Sequence, residues 1–293
     1  MFDCHCHLYP PQFTAKEVAH LSAEAAAAGV EAVVTVPEDL RDCAAVLALA
    51  RANPLIAPCA GLHPVQPIHA EGAPYSGARC VAAADLPPVL EFIRAHASEI
   101  VAIGEVGLDF SPHVLNGDAA LKDVQRAVFA AQIAAARELG LPLNVHSRSA
   151  GHHAIDMLLE GGLQSGALLH AFDGRAVHAL RAVQASPHIY FSVPPSAARS
   201  PQQQKLVAAL PLERLVLETD APALAPERGA RNRPANLTVA RDEVARIKGL
   251  PAAEVARATR ANALRLFPRL ARWAGGGGGG GEGAAAAVEV APP

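Results

Sequence analysis

A chain of 293 residues that is 51% hydrophobic but only 4% aromatic holds enough apolar material for one large core, with alanine supplying much of it, which excludes a disordered chain. Its 25 Lys and Arg against 28 Asp and Glu leave a net charge of −3. No general basic field exists to hold a nucleic acid, and any phosphate binding has to be local.

The chain opens with "MFDCHCHLYPP", of which residues 2–7 read as a strand. Residues two apart on a strand share a face, so His5 and His7 aim together while Cys4 and Cys6 face away. Two imidazoles on one side are half of a metal site; they are equally what two ordinary histidines would look like. An alanine-rich helix over 16–28, closed by Gly29, leads into the buried strand "VEAVVTV" at 30–36. The same grammar then recurs. Strands are expected at 55–61, 100–105, 141–146, 167–170, 188–193 and 214–219, with helices near 39–52, 86–97, 118–139, 151–161, 175–186 and 200–210. Eight strands alternating with helices in this length argue for an α/β fold of the (β/α)8 TIM barrel type. Two more helices fit 236–249 and 251–266, split by Gly249 and Pro251. The Gly-, Pro- and Ala-rich stretch 67–84 reads as a long surface loop. From Gly275 the chain becomes low-complexity, so the expected domain is 1–274, followed by a disordered Gly/Ala-rich tail over 275–293.

The five cysteines Cys4, Cys6, Cys43, Cys59 and Cys80 are odd in number and irregularly spaced, which argues for reduced thiols rather than a secreted disulfide scaffold. Cys4-x-Cys6 has no second pair to complete a zinc motif. No signal-peptide pattern opens the chain and no 18-residue apolar run follows. The expectation is an intracellular protein, nuclear or cytoplasmic, with no membrane contact and no obligate protein partner.

Placed on this frame, His5 and His7 fall on the first strand, Glu105 ends the strand of "IVAIGEVGLDF", His146 ends "LPLNVH", His170 ends "ALLH", and Asp220 follows "RLVLET". Groups at the C-terminal ends of parallel barrel strands converge on one face, where active sites are built. Other histidines, His96, His152, His153 and His178, fall on predicted helices instead. Four imidazoles with two carboxylates suit a pair of divalent ions, with zinc, manganese and magnesium all open.

The successive motifs "DCHCHL", "GLHPVQ", "IGEVGLDF", "NVHSRSA", "LLHAFDG" and "LETDAPAL" resemble those of the TatD-type metal-dependent deoxyribonucleases, a branch of the amidohydrolase superfamily, over residues 2–268. The resemblance implies that His5, His7 and Asp220 hold one metal ion, His146 and His170 the other, and that Glu105 bridges them. It also implies a phosphodiesterase acting on DNA, as a 3′-exonuclease and at abasic sites. Fewer residues precede Asp3 than in the family pattern, so a short first strand is expected.

Asp220, beside the water that such ions would activate, is the candidate general base, with Glu105 the second catalytic carboxylate. Arg148, two residues past His146, suits a phosphate oxygen or a surface ion pair. His63 suits a substrate contact or a structural role. Glu218 and Asp109 suit carboxylates that orient the ligands; for Glu218 a Lys or Arg partner is the alternative. Asp173 and Gly174 read as a turn. Arg228, Arg231 and Arg233 follow the last strand, and suit either a DNA backbone or a solvated loop. Two other readings stay open: a metal-dependent hydrolase of a small amide, ester or lactone, and a non-catalytic metal-binding scaffold.

Overall fold

The computed structural model describes residues 1–68 and 77–274; the predicted tail, 275–293, and part of the predicted 67–84 loop lie outside the described residues. Strand β1 (Phe2–Cys6) leads to α1 (Ala15–Ala27), β2 (Ala32–Thr35), α2 (Leu40–Ala52) and β3 (Ile56–Ala60). A ribbon of β4 (Val65–Pro67) and β5 (Ala78–Cys80) precedes α3 (Leu86–Ala95). Then follow β6 (Ala102–Asp109), α4 (Pro112–Leu115), α5 (Leu121–Leu139), β7 (Leu143–Arg148), α6 (Gly151–Glu160) and β8 (Ala167–Leu169). The last elements are α7 (Ala176–Ala185), β9 (Ile189–Val193), α8 (Pro201–Ala209), β10 (Leu215–Leu217), α9 (Leu237–Lys248) and α10 (Ala252–Leu266).

Eight strands form one sheet in the order β1-β2-β3-β6-β7-β8-β9-β10, each pair parallel. The order follows the chain and curls the sheet into the expected barrel. Its seam lies between β10 and β1. There the Asp220 N–H donates to the His5 carbonyl and the His7 N–H to the Ala221 carbonyl, both at 2.9 Å. Below them the buried Asp3 carboxylate accepts the Thr219 N–H at 2.8 Å and the Thr219 hydroxyl. Despite its short lead-in, β1 is buried at every residue.

The large apolar cluster packs strand residues such as Val33, Ile103, Val145, Leu169 and Leu217 against helix residues such as Val18, Phe129 and Ile155. A second joins the starts of strands, Phe2, Ala32 and Ala102, to Leu266, Phe267 and Leu270, and so occupies the end of the barrel opposite His5 and Asp220. All five cysteines are free thiols, four of them buried.

Two expectations are corrected. The stretch 67–84 is not a plain loop, because β5 pairs antiparallel with β4, Val65 opposite Cys80. Three-residue strands, one ending in Pro67, are too short for an alternating pattern to announce them. Strand β6 also runs four residues past Glu105, through Gly107, pairing with β7 as far as Asp109 opposite Arg148. Glycine reads as a stop in sequence, yet here its φ of 135° lets the strand continue past a register shift between Ile103 and Val106.

Candidate metal centre

The strands deliver the six expected ligand residues to one place. Glu105 stands at the centre, only 2% exposed, and its two oxygens face two groups of side chains. Oε2 lies 3.4 Å from His7 Nε2 and 3.7 Å from His5 Nε2. The same nitrogens lie 3.4 Å (His5) and 3.5 Å (His7) from Asp220 Oδ1. On the other side, Oε1 lies 2.9 Å from His170 Nε2, 3.0 Å from His146 Nδ1 and 3.4 Å from His63 Nε2. The His5 and His170 rings stack at 3.7 Å, their planes almost parallel at 3°.

The surroundings hold these groups in place. His146 Nε2 lies 3.0 Å from Asp109 Oδ2, and Asp109 Oδ1 accepts the Ser111 N–H. Glu218 accepts the Ala171 N–H at 2.9 Å and the Ser192 hydroxyl at 2.6 Å, with one oxygen 3.8 Å from His170 Nδ1. Its hydrogen-bond partners are thus these two donors rather than the alternative lysine or arginine. His63 faces the same centre as a further imidazole, its Nδ1 2.8 Å from the Val65 carbonyl.

The electrostatics follow from crowding carboxylates with histidines away from water. Burial opposes charge on Glu105, but His63, His170 and His5 hold it well below the usual carboxylate range. Burial likewise opposes charge on Asp220, and the imidazoles of His5 and His7 hold it low. For His5, burial is outweighed by Glu105 and Asp220, which push it up to about 10; for His146, by Asp109 and Glu105, which push it up to about 9. Burial and the neighbouring His5 press His170 down to about 4. Burial raises Glu218 to about 8. A site that draws protons onto imidazoles this strongly is one whose potential favours cations.

The donor set fits a divalent metal in its chemistry and spacing. Three groups each place their ligand atoms within 4.8 Å of one another: His5, His7 and Glu105; His63, Glu105 and His146; and His5, His170 and Glu218. His5 Nε2 and His170 Nδ1 are buried without a hydrogen-bond partner, an arrangement that is costly for a fold unless a ligand completes it.

The centre opens into a cavity of about 400 Å³, lined also by Gln12, Glu38, His113, Arg148 and Asp173. Arg148 is exposed there. The arginines after the last strand divide. Arg231 pairs with Glu17 at 2.6 Å and lies over the Phe13 ring, and Arg233 pairs with Glu24 at 3.3 Å. Two of the three are therefore tied to α1. The turn falls at His170 and Ala171 rather than at Asp173 and Gly174 as expected; Gly174 is a bend held against the Phe172 ring, where a Cβ would lie 2.4 Å from it.

Sequence reasoning gave no role to Asn144, Asp3 or Ser192. All three are buried and polar on strands that bear ligand residues or lie beside them. Asn144 stands two before His146, and Asp3 two before His5. A polar residue at the same parity as a ligand on a buried strand was the available signal.

The model of the TatD related DNase family matches residues 2–268. The chain is 44% identical over 271 residues to the deoxyribonuclease TATDN3 of Homo sapiens, covering 92% of this chain and 95% of that protein. It is 32% identical over 278 residues to the 3′-5′ ssDNA/RNA exonuclease TatD of Salmonella typhimurium, covering 91% and 98%. It is 31% identical over 270 residues to the metal-dependent hydrolase YabD of Bacillus subtilis, covering 91% and 98%. Among solved structures, YJJV, a TatD homologue from Escherichia coli K12, superposes with a TM-score of 0.78 at 28% identity, covering 92% and 98%. With this barrel and this cluster of imidazoles and carboxylates, the chain belongs to the TatD family of metal-dependent DNases.

Proposed function

We propose that the protein hydrolyses phosphodiester bonds in DNA from the 3′ end, and that its substrates include abasic sites. The observation that carries this reading is the two-sided disposition of Glu105, one oxygen toward His5 and His7 and the other toward His146 and His170. In this reading His5, His7 and Asp220 hold one divalent ion, His146 and His170 hold a second, and Glu105 serves both. Zinc, manganese and magnesium are each compatible with these donors. Bound there, divalent ions supply a water of lowered pKa and offset the charge that builds on a phosphodiester during displacement.

The protein's own part is positional and acid-base. Asp220, held anionic by its neighbours, takes a proton from the attacking water. The water oxygen bonds to phosphorus while the bond from phosphorus to the leaving sugar oxygen breaks, and that oxygen leaves as an alcohol by taking the proton held on Asp220. Asp109 orients His146, and Glu218 lies beside His170. Arg148, at the cavity wall with no acidic partner among the described residues, offers a two-pronged donor to a phosphate oxygen. His63 also lines the cavity, beside Glu105 and His146, and in this reading contacts the substrate.

The test is a time course on end-labelled single- and double-stranded DNA and on an oligonucleotide with one abasic site. Release of nucleotides from the 3′ end is expected, lost with chelator, in His146→Ala, and in an Asp220→Asn protein that still binds metal. Turnover by Asp220→Asn at the wild-type rate would remove its role as base. Cleavage of small amides, esters or lactones with intact DNA would replace the nuclease reading.

A further inference from the structure

We propose that Asn144 is a positioning residue that fixes which nitrogen of His5 is presented to a cation; this rests on the metal-centre reading above. Asn144 lies on β7, wholly buried, and its amide bridges two groups of β1. Nδ2 donates to the Cys4 carbonyl at 2.9 Å, and Oδ1 lies 2.8 Å from His5 Nδ1. A main-chain carbonyl only accepts, so the NH2 end of the amide must face Cys4 and the oxygen must face the ring. The amide oxygen also only accepts, so His5 Nδ1 carries a hydrogen. The free donor atom of the neutral ring is then Nε2. That is the atom left buried without a hydrogen-bond partner, 3.4 Å from Asp220 Oδ1 and 3.7 Å from Glu105 Oε2.

Two further contacts make the setting rigid. The His170 ring lies flat against that of His5, which opposes rotation of the imidazole. A Cβ on Gly104 would lie 2.6 Å from the Asn144 Cβ, so Asn144 fills the space beside the residue that precedes Glu105. One neutral amide thereby registers His5, Glu105 and, along its own strand, His146. A carboxylate in its place would also fix the ring, but would add negative charge to the deepest part of the centre.

The test is metal affinity of the full chain, with zinc and manganese each titrated against a chromophoric chelator. Asn144→Leu keeps the bulk and loses the acceptor; it should bind about 10–100-fold more weakly at one site or both. Asn144→Asp keeps an oxygen toward the ring and, with its second oxygen protonated toward the Cys4 carbonyl, should restore most of that loss. Long-range proton–nitrogen spectra of histidine-labelled, zinc-loaded wild-type protein should show His5 protonated on Nδ1. This readout decides the matter even if Asn144→Leu fails to fold. A His5 ring protonated on Nε2 overturns the proposal, as does wild-type affinity in a folded Asn144→Leu protein. Absence of zinc and manganese binding by wild type overturns it together with the metal-centre reading. Absence of DNA cleavage alone, with binding and tautomer as expected, overturns the nuclease reading and supports the assignment of Asn144.

Discussion

Asp42 shows how one buried carboxyl writes itself into stability. It sits in the first turn of α2, accepting the Tyr9 hydroxyl at 2.9 Å, and burial and then Asp39 raise it from 3.8 to about 7. A raised acid favours the folded state only while protonated, so its contribution falls as pH climbs from 3.8 through about 7. At ~1.4 kcal/mol per pKa unit, Asp42→Asn should stabilise the protein by a few kcal/mol at pH 8 and by only about 1 kcal/mol at pH 4.5. Urea midpoints at the two values check this; the same gain at both would refute it. Arg148 gives a second residue-level expectation. Its replacement by Ala should raise KM for oligonucleotides about tenfold or more through a lost charge-assisted contact, while metal content stays constant; unchanged KM would return it to the surface. At this scale the sequence was informative where chemistry is loud. Histidines and carboxylates at strand ends converge by the geometry of a parallel barrel, whereas Asn144 and Ser192 are residue types at home in any loop, and only burial beside a ligand gives them meaning.

Strand β6 carries its information in glycines. Gly107 has φ 135°, and a Cβ there would come within 2.0 Å of the His146 carbonyl. Gly107→Ala should therefore cost about 3 kcal/mol or more, since strain in φ adds to a collision with main chain that cannot rotate away. The displaced partner is the His146 backbone, so metal affinity should fall along with the melting temperature. A variant that melts normally and binds zinc like wild type would contradict this. The βα alternation was readable because each unit repeats the same apolar run and helix pattern. The β4–β5 ribbon and the four extra residues of β6 were not, because both depend on what pairs with them: Cys80 with Val65, and Asp109 with Arg148.

For the whole molecule, the titrating groups of the centre set a pH window. Glu105, Asp220 and Asp109 are held low by their imidazole neighbours against the opposing effect of burial, so their contribution is present above about pH 4.5 and is lost as acid protonates them. His5 and His146, raised from 6.5 to about 10 and about 9, contribute fully below 6.5 and lose that contribution as pH rises through those values. Glu218 and Asp42, raised to about 8 and about 7, favour the acid end of this range, and His170, pressed down to about 4, favours the other, so chelator-treated protein should be most stable between about pH 4.5 and 6.5, nearer the lower value. Divalent ions displace the protons on these histidines, so saturating zinc should raise the melting temperature more at pH 8 than at pH 5.5, with ~2.7 kcal/mol per site at a hundredfold excess over Kd. An equal rise at both pH values would argue that the ions bind elsewhere. The barrel was legible because eight units of one kind in this length admit few architectures. The way its ends meet was not, since the Asp3–Thr219 contacts that close it join residues with no common local pattern.

That closure governs when a newly made chain becomes dangerous. Asp220, and the two main-chain bonds that bring it against His5 and His7, are made more than two hundred residues after those histidines. No unfinished product lacking that segment can assemble the set, so on the metal-centre reading proposed above the chain stays inactive until Asp220 has been made.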